Sequence, residues 1–211
     1  MSTVSLLSDR RRGPRALFTL MAGQHGVAST AQARFVGVSR AVEERLVDEG
    51  ALVRLTRGVL TAGGVPLTFS AQAMAAALHP GVVALSHGAA ARLHCLTGFE
   101  HHATLDVIGA RGSHIRVEPP VYARYSRGRI VDHVVTVGSI PVTSIPLTLT
   151  QIAPEIGRPQ LEAAVGAALV RGETVDEIRA VAERWRGPGR PGPAKVLDVL
   201  DSLGYRRRRT A

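Results

Sequence analysis

Arginine carries nearly all the cationic chemistry of this chain: Lys195 is the sole lysine among 26 basic residues. A guanidinium is planar and can grip a guanine edge or a phosphate with two parallel bonds. The run SRAVEERLVDEG, residues 39–50, sets such groups on a short helix. Val42 and Leu46 lie four apart and must face inward, which turns Arg40, Ala41, Glu44 and Arg45 outward. Arginine there can read guanine and glutamate can accept from the cytosine amine. Arg54 and Arg57 follow in ALVRLTRGVL, where a β-turn would bring them to phosphate or to a minor groove. Ser29, Thr30, Gln32 and Ser39 stand at the starts of two helices, where free backbone amides and short polar side chains suit phosphate. One feature opposes this reading. The helix holds Arg40 and Arg45 against Glu43, Glu44, Asp48 and Glu49, whereas helices that bind DNA strongly are usually basic. A winged helix used for protein contact is therefore the competing expectation, partly offset by Arg10, Arg11, Arg12 and Arg15 upstream.

The other reactive residues give weaker patterns. His87, His94, Cys95, His101 and His102 fall within sixteen positions, but zinc needs three or four converging ligands and the chain has no paired-cysteine knuckle. Packing and capping roles are expected, with no metal or cofactor. Asp106 and Glu118 are the acids a nuclease could use, yet Lys195 lies far away in the sequence and no glycine-rich phosphate loop occurs. No catalytic site is expected.

Positioning these groups requires a compact set of elements. Pro14 opens a first helix, with Leu17, Leu20 and Met21 on one face, ended by Gly23 and Gly26. Val27 is a short extended piece, Ser29 and Thr30 cap a second helix ending at Gly37, and Ser39 caps the third. Residues 51–63 alternate and turn at Arg57-Gly58, a β-hairpin signal. Three helices and a hairpin spell a winged helix-turn-helix over 14–63, after a basic arm at 1–13. Gly63-Gly64 is the expected hinge. A second region, 64–205, mixes a helix at 68–78, a strand at 82–85, a helix capped by Ser86, and strands at 104–108, 115–117, 121–125 and 134–137. Helices follow near 146–153, 158–170, 174–185 and 193–203, interrupted by a Gly/Pro linker at 186–193. A basic tail covers 206–211. The fold class is α+β.

Bulk properties agree with a globular nucleic-acid binder. The formal net charge is +9, which suits a polyanionic partner, although arginine-rich usage can also reflect a GC-rich genome. Hydrophobic residues make up 45% and aromatics 4%, so the core is aliphatic. One cysteine and the N-terminal arginine cluster favour a cytoplasmic protein without a signal peptide. The longest apolar stretch, near 71–85, is broken by His79-Pro80-Gly81 and is too short to span a bilayer.

Three segments in order, QHGVASTAQARFVGVSRAVEERLVDEGALVRLTRGVL at 24–60, VVALSHGAAARLHCLTG at 82–98 and SIPVTSIPLTLTQIA at 139–153, resemble the AbiEi family. That family is the antitoxin and autorepressor half of type IV toxin–antitoxin systems. The resemblance implies an N-terminal domain that binds operator DNA, a strand-to-helix segment at 139–153, and a second domain that counteracts a nucleotidyltransferase-type toxin. Some relatives append a Vsr-like endonuclease domain, which this sequence does not show. On charge grounds the neutralising surface would involve Arg111, Arg116, Arg124, Arg127 and Arg129, around the expected strands, facing an acidic catalytic face. The expected function is thus a sequence-specific repressor acting on double-stranded DNA in its own promoter. A stand-alone or phage-type repressor and a nuclease-related enzyme are the alternatives.

Overall fold

The computed structural model describes residues 13–110, 113, 115, 121–125 and 130–205. The N-terminal unit runs α1 (Gly13–Ala22), β1 (Val27–Ser29), α2 (Thr30–Phe35), α3 (Arg40–Asp48), β2 (Leu52–Thr56) and β3 (Val59–Ala62). Its strands form an antiparallel sheet in the order β1-β3-β2. This is a winged helix-turn-helix, and the extended piece at Val27 proves to be the third strand that closes the wing against the helices. Leu17, Met21, Ala28, Ala33, Leu46, Leu52 and Leu60 fill its core. Each fully buried leucine there contributes about 1.5–3 kcal/mol of transfer free energy. Short helices of six and nine residues cannot stand alone, so this core holds them.

The helix starts follow from local chemistry. Ser29 accepts from the Gln32 amide at 3.0 Å while the Gln32 side chain accepts from the Ser29 amide at 2.8 Å, a reciprocal cap on α2. Ser39 caps α3 through the Val42 amide, and Gly50 ends the helix at φ +72°.

The second unit begins with α4 (Phe69–Ala77), capped by Thr68, and β4 (Val82–Leu85). It continues through α5 (His87–Leu93), β5 (Leu105–Gly109), β6 (Val121–Tyr125), a 3-10 turn at Ile130–His133, β7 (Val134–Val137) and β8 (Ile140–Thr143). A five-stranded mixed sheet results, ordered β6-β5-β4-β8-β7, with β5–β6 and β4–β8 parallel. Helices α6 (Ile145–Ile152), α7 (Arg158–Val170), α8 (Val175–Arg184) and α9 (Pro191–Ser202) pack into a separate apolar layer around Leu149, Ile152, Leu161, Val165, Ile178 and Leu200. Of the expected strand at 115–117, residues 116 and 117 lie outside the described residues, as do the basic arm through Arg12 and the tail from Arg206.

The two units meet through packed apolar side chains. Val27 and Val59 of the wing sheet share one apolar cluster with Ala73, Leu85, Val107 and Val142. Gly63 lies so close to Gly50 that a Cβ would sit 1.9 Å from the Gly50 carbonyl oxygen. Two loops clasp each other nearby. His25 Nε2 contacts the Gly138 carbonyl at 2.6 Å, and Ser139 Oγ donates to the Gly23 carbonyl at 2.9 Å. His25 and Ser139 both hold left-handed backbone angles, φ +54° and +71°.

Candidate nucleic-acid interface

The winged helix brings together a shallow groove between α2, α3 and the β2–β3 turn. Thr30, Arg34, Arg40, Glu43, Glu44, Arg54, Arg57 and Gly58 line it, four arginines against two glutamates. Thr30 sits beneath the wing, donating its amide to the Gly58 carbonyl at 2.9 Å. Arg57 stands exposed at the wing turn, and Ala41 and Arg45 are exposed on α3.

One acid of α3, Glu43, is neutralised inside the fold. Glu43, counted from sequence as a surface acid, is 3% exposed. Its carboxylate is held by the Arg34 guanidinium at 2.8 Å and by Arg54 at 3.3 Å. Burial is tolerated because two cations and their residual hydration offset the loss of solvent around one carboxylate. Glu43 thereby ties the end of α2 and the wing strand β2 to the middle of α3. Arg34 further donates to the Val38 carbonyl at 2.9 Å, closing the turn between the two helices.

Glu44 pairs with Arg40 one turn earlier at 2.9 Å, both solvated. The bond to Arg40 holds the Glu44 carboxyl below its ordinary range, and the same bond raises Arg40. Arg45 lies 3.7 Å from Glu49 on the opposite edge of α3. Ser29 and Gln32 are half-buried and spend their capping atoms on α2. Ser39 is exposed with its oxygen engaged at Val42.

Sequence reasoning missed Arg34. It lies at the polar end of a helix read for its cap alone, and only the fold shows that it shares the groove with Arg54. The spacing of Arg34 and Glu43 across a helix-turn-helix was the available signal.

In the second unit His94 and His102 tie elements together. His94 Nε2 contacts the Thr143 carbonyl at 2.7 Å, joining α5 to β8, and burial holds its pKa below the ordinary histidine range. His102 Nε2 meets Asp106 Oδ2 at 2.8 Å, and the same oxygen accepts from the Ala89 amide. Ser86 makes no side-chain cap on α5, contrary to expectation; Asp106 reaches across from β5 to do so. A Cβ on Gly88 would lie 2.2 Å from the His102 ring, so only glycine admits this packing. Among the described residues, no group of three or more His, Cys, Asp or Glu could hold a metal ion. Glu118 lies outside the described residues.

Of the five arginines expected on a partner surface, Arg111, Arg116, Arg127 and Arg129 lie outside the described residues. Arg124, on β6, pairs with Glu155 at 2.5 Å and stacks over the Tyr122 ring at 4.7 Å.

No protein-family model matches the chain, and no curated protein sequence does. Its fold is similar to that of the RV2827C protein from Mycobacterium tuberculosis, seen in a crystal structure. The TM-score is 0.53 at 15% identity, over 89% of this chain and 76% of that one. The likeness is one of fold. Among the described residues, no helix is long and apolar enough to cross a membrane.

Proposed function

We propose that the chain is a cytoplasmic, sequence-specific DNA-binding repressor that reads its operator through α3 and the β2–β3 wing. The observation that carries this reading is the groove where Arg34, Arg40, Arg54 and Arg57 converge beside α3 while Glu43 is buried and paired. Such an arrangement places guanidinium groups at both the base-reading helix and the phosphate-gripping wing. The internal pairing of Glu43 lessens the objection raised by the acidic sequence of α3, while Glu44, Asp48 and Glu49 stay at least partly exposed. By its resemblance to the AbiEi family, the repressor is the antitoxin of a type IV pair, and the second unit counteracts a nucleotidyltransferase-type toxin. Asp106 contributes to the capping of α5, where its buried carboxylate accepts from the Ala89 amide and meets His102.

The test is fluorescence anisotropy with a duplex from the chain's own upstream region and a scrambled duplex. Arg40→Ala should narrow the preference between the two, whereas Arg57→Ala should weaken both alike. Equal affinity of the parent protein for both duplexes contradicts sequence-specific reading. Co-expression of the full chain with the neighbouring gene tests the antitoxin role. A variant carrying Arg40→Ala and Arg57→Ala should still rescue growth while failing to repress. Loss of rescue in that variant would place neutralisation on the winged helix.

A further inference from the structure

A second cavity, remote from the winged helix, lies where β5 and β6 of the five-stranded sheet meet α6, α8 and α9. Its volume is about 590 Å³, within the roughly 300–1,000 Å³ of small-molecule sites. Its apolar floor is Ile108, Ile130 and Leu147, which pack together as one buried cluster with Trp185 against it. Its polar groups are few and convergent: His87, Arg124, Gln151 and Arg190.

Each wall has a structural cause. The segment read from sequence as a Gly/Pro linker forms one side, because α9 starts at Pro191 and its first turn presses on α6. A Cβ on Gly192 would lie 1.9 Å from the Thr150 carbonyl oxygen, so the backbones touch and the wall is fixed. Gln151 is anchored from within α6. Its Oε1 accepts from the His87 amide at 3.3 Å and from Thr143 Oγ1 at 3.1 Å, which leaves the Nε2 protons for another partner. Trp185 is held edge-on by His133, with ring centroids 5.8 Å apart, and the Arg190 guanidinium lies 5.5 Å over its ring. Arg124 uses one terminal nitrogen on Glu155, while its Nε is buried and has no hydrogen-bond partner among the described residues. His87 holds a left-handed backbone at φ +48°, which turns it at the head of α5. Burial and the Arg124 charge push its pKa down to about 3, so it is a neutral imidazole at physiological pH.

We propose that this cavity binds an organic anion of mononucleotide size that carries a flat ring. The Arg124 guanidinium takes the charge, the Arg190 guanidinium lying over Trp185 takes a flat ring by stacking, and the Gln151 amide meets the ring's polar edge. A neutral His87 adds a hydrogen-bonding nitrogen without a third positive charge. The apolar floor explains why a simple inorganic anion would leave most of the cavity unfilled. This reading is independent of DNA binding, which uses the opposite unit of the chain.

Trp185 is the sole tryptophan of the protein, so its emission reports directly on the cavity. The full chain is titrated separately with AMP, GMP, CMP and UMP, and with adenosine and inorganic phosphate as comparisons. At least one nucleotide should give a saturable change in emission with Kd below about 1 mM. Arg190→Ala and Arg124→Ala should each weaken that binding about tenfold or more, and adenosine and phosphate should each bind at least about tenfold more weakly. Circular dichroism checks the fold of each variant, and Arg40→Ala should bind like the parent. No saturable response to any of the four nucleotides overturns the proposal. So does phosphate binding as tight as the nucleotide's, or unchanged binding in folded Arg190→Ala.

Discussion

Replacing Glu43 by glutamine keeps its volume and removes the charge at the centre of the winged helix. The parent carboxylate is 3% exposed and lies 2.8 Å from Arg34 and 3.3 Å from Arg54. At an effective dielectric constant of about 20, two unit charges about 4 Å apart attract by about 4 kcal/mol. Desolvation of the carboxylate removes several kcal/mol of that gain. The two arginine side chains keep 41% and 50% of their exposure, so water rescues them when Glu43 loses its charge. The net cost of Glu43→Gln is therefore about 1–3 kcal/mol, below the penalty for stranding fully buried cations. The same substitution frees two arginines in the groove. Each additional phosphate contact steepens the dependence of log affinity on log salt by about 0.9. Glu43→Gln should thus be less stable to urea yet bind nonspecific duplex more tightly at low salt, with a steeper salt slope. Urea unfolding followed by circular dichroism and anisotropy across a salt series measure both. A variant as stable as the parent, with unchanged affinity and slope, would refute the reasoning, because Glu43 would then be neither a structural tie nor a mask on the groove.

Acid should destabilise the protein through His87. Its folded-state pKa of about 3 lies below the unfolded value of 6.5, so the unfolded chain alone binds the proton between them. Stability from this group is complete above pH 6.5 and falls by about 1.4 kcal/mol per pH unit toward pH 3. His87→Asn, which tolerates the left-handed backbone, should flatten that slope in pH-dependent thermal melts; an identical slope rules His87 out as a source. Asp106→Ala removes the cap on α5 and the partner of His102, and should cost about 2–4 kcal/mol in chemical denaturation. An unchanged midpoint would refute the capping role. Gly63→Ala forces a Cβ onto the Gly50 carbonyl and should lower stability by about 2 kcal/mol or more; a neutral result would show that the backbone relaxes around Gly63 at little cost.

Much of the fold is legible in local signals. Ser29 and Ser39 mark helix starts that the structure keeps, because a cap is decided within four residues. The turn at Arg57-Gly58 is likewise local, with Gly58 at φ +81°. What escapes sequence reading depends on distant partners. Asp106 caps a helix seventeen residues upstream, so Ser86 takes the credit when only neighbours are considered. Glu43 reads as a surface acid because Arg34 and Arg54 reach it from other elements. The order β6-β5-β4-β8-β7 mixes parallel and antiparallel pairs, and no alternation pattern encodes which strands become neighbours. The candidate interface is half legible for the same reason: Arg40, Arg54 and Arg57 follow from helix and hairpin geometry, while Arg34 enters only through the packing of α2 on α3.

The salt dependence of binding to the upstream duplex tests the central claim most directly. Arg57 at the wing and Arg40 on α3, the groove arginines that Glu43 does not hold, predict at about 0.9 per phosphate a slope of log affinity against log salt of about −1 to −2. The triple variant Arg34→Ala, Arg54→Ala, Arg57→Ala should flatten that slope by about 1 while the second unit stays folded. A slope near zero in the parent protein, or the same slope in the triple variant, would show that the groove beside α3 does not hold DNA.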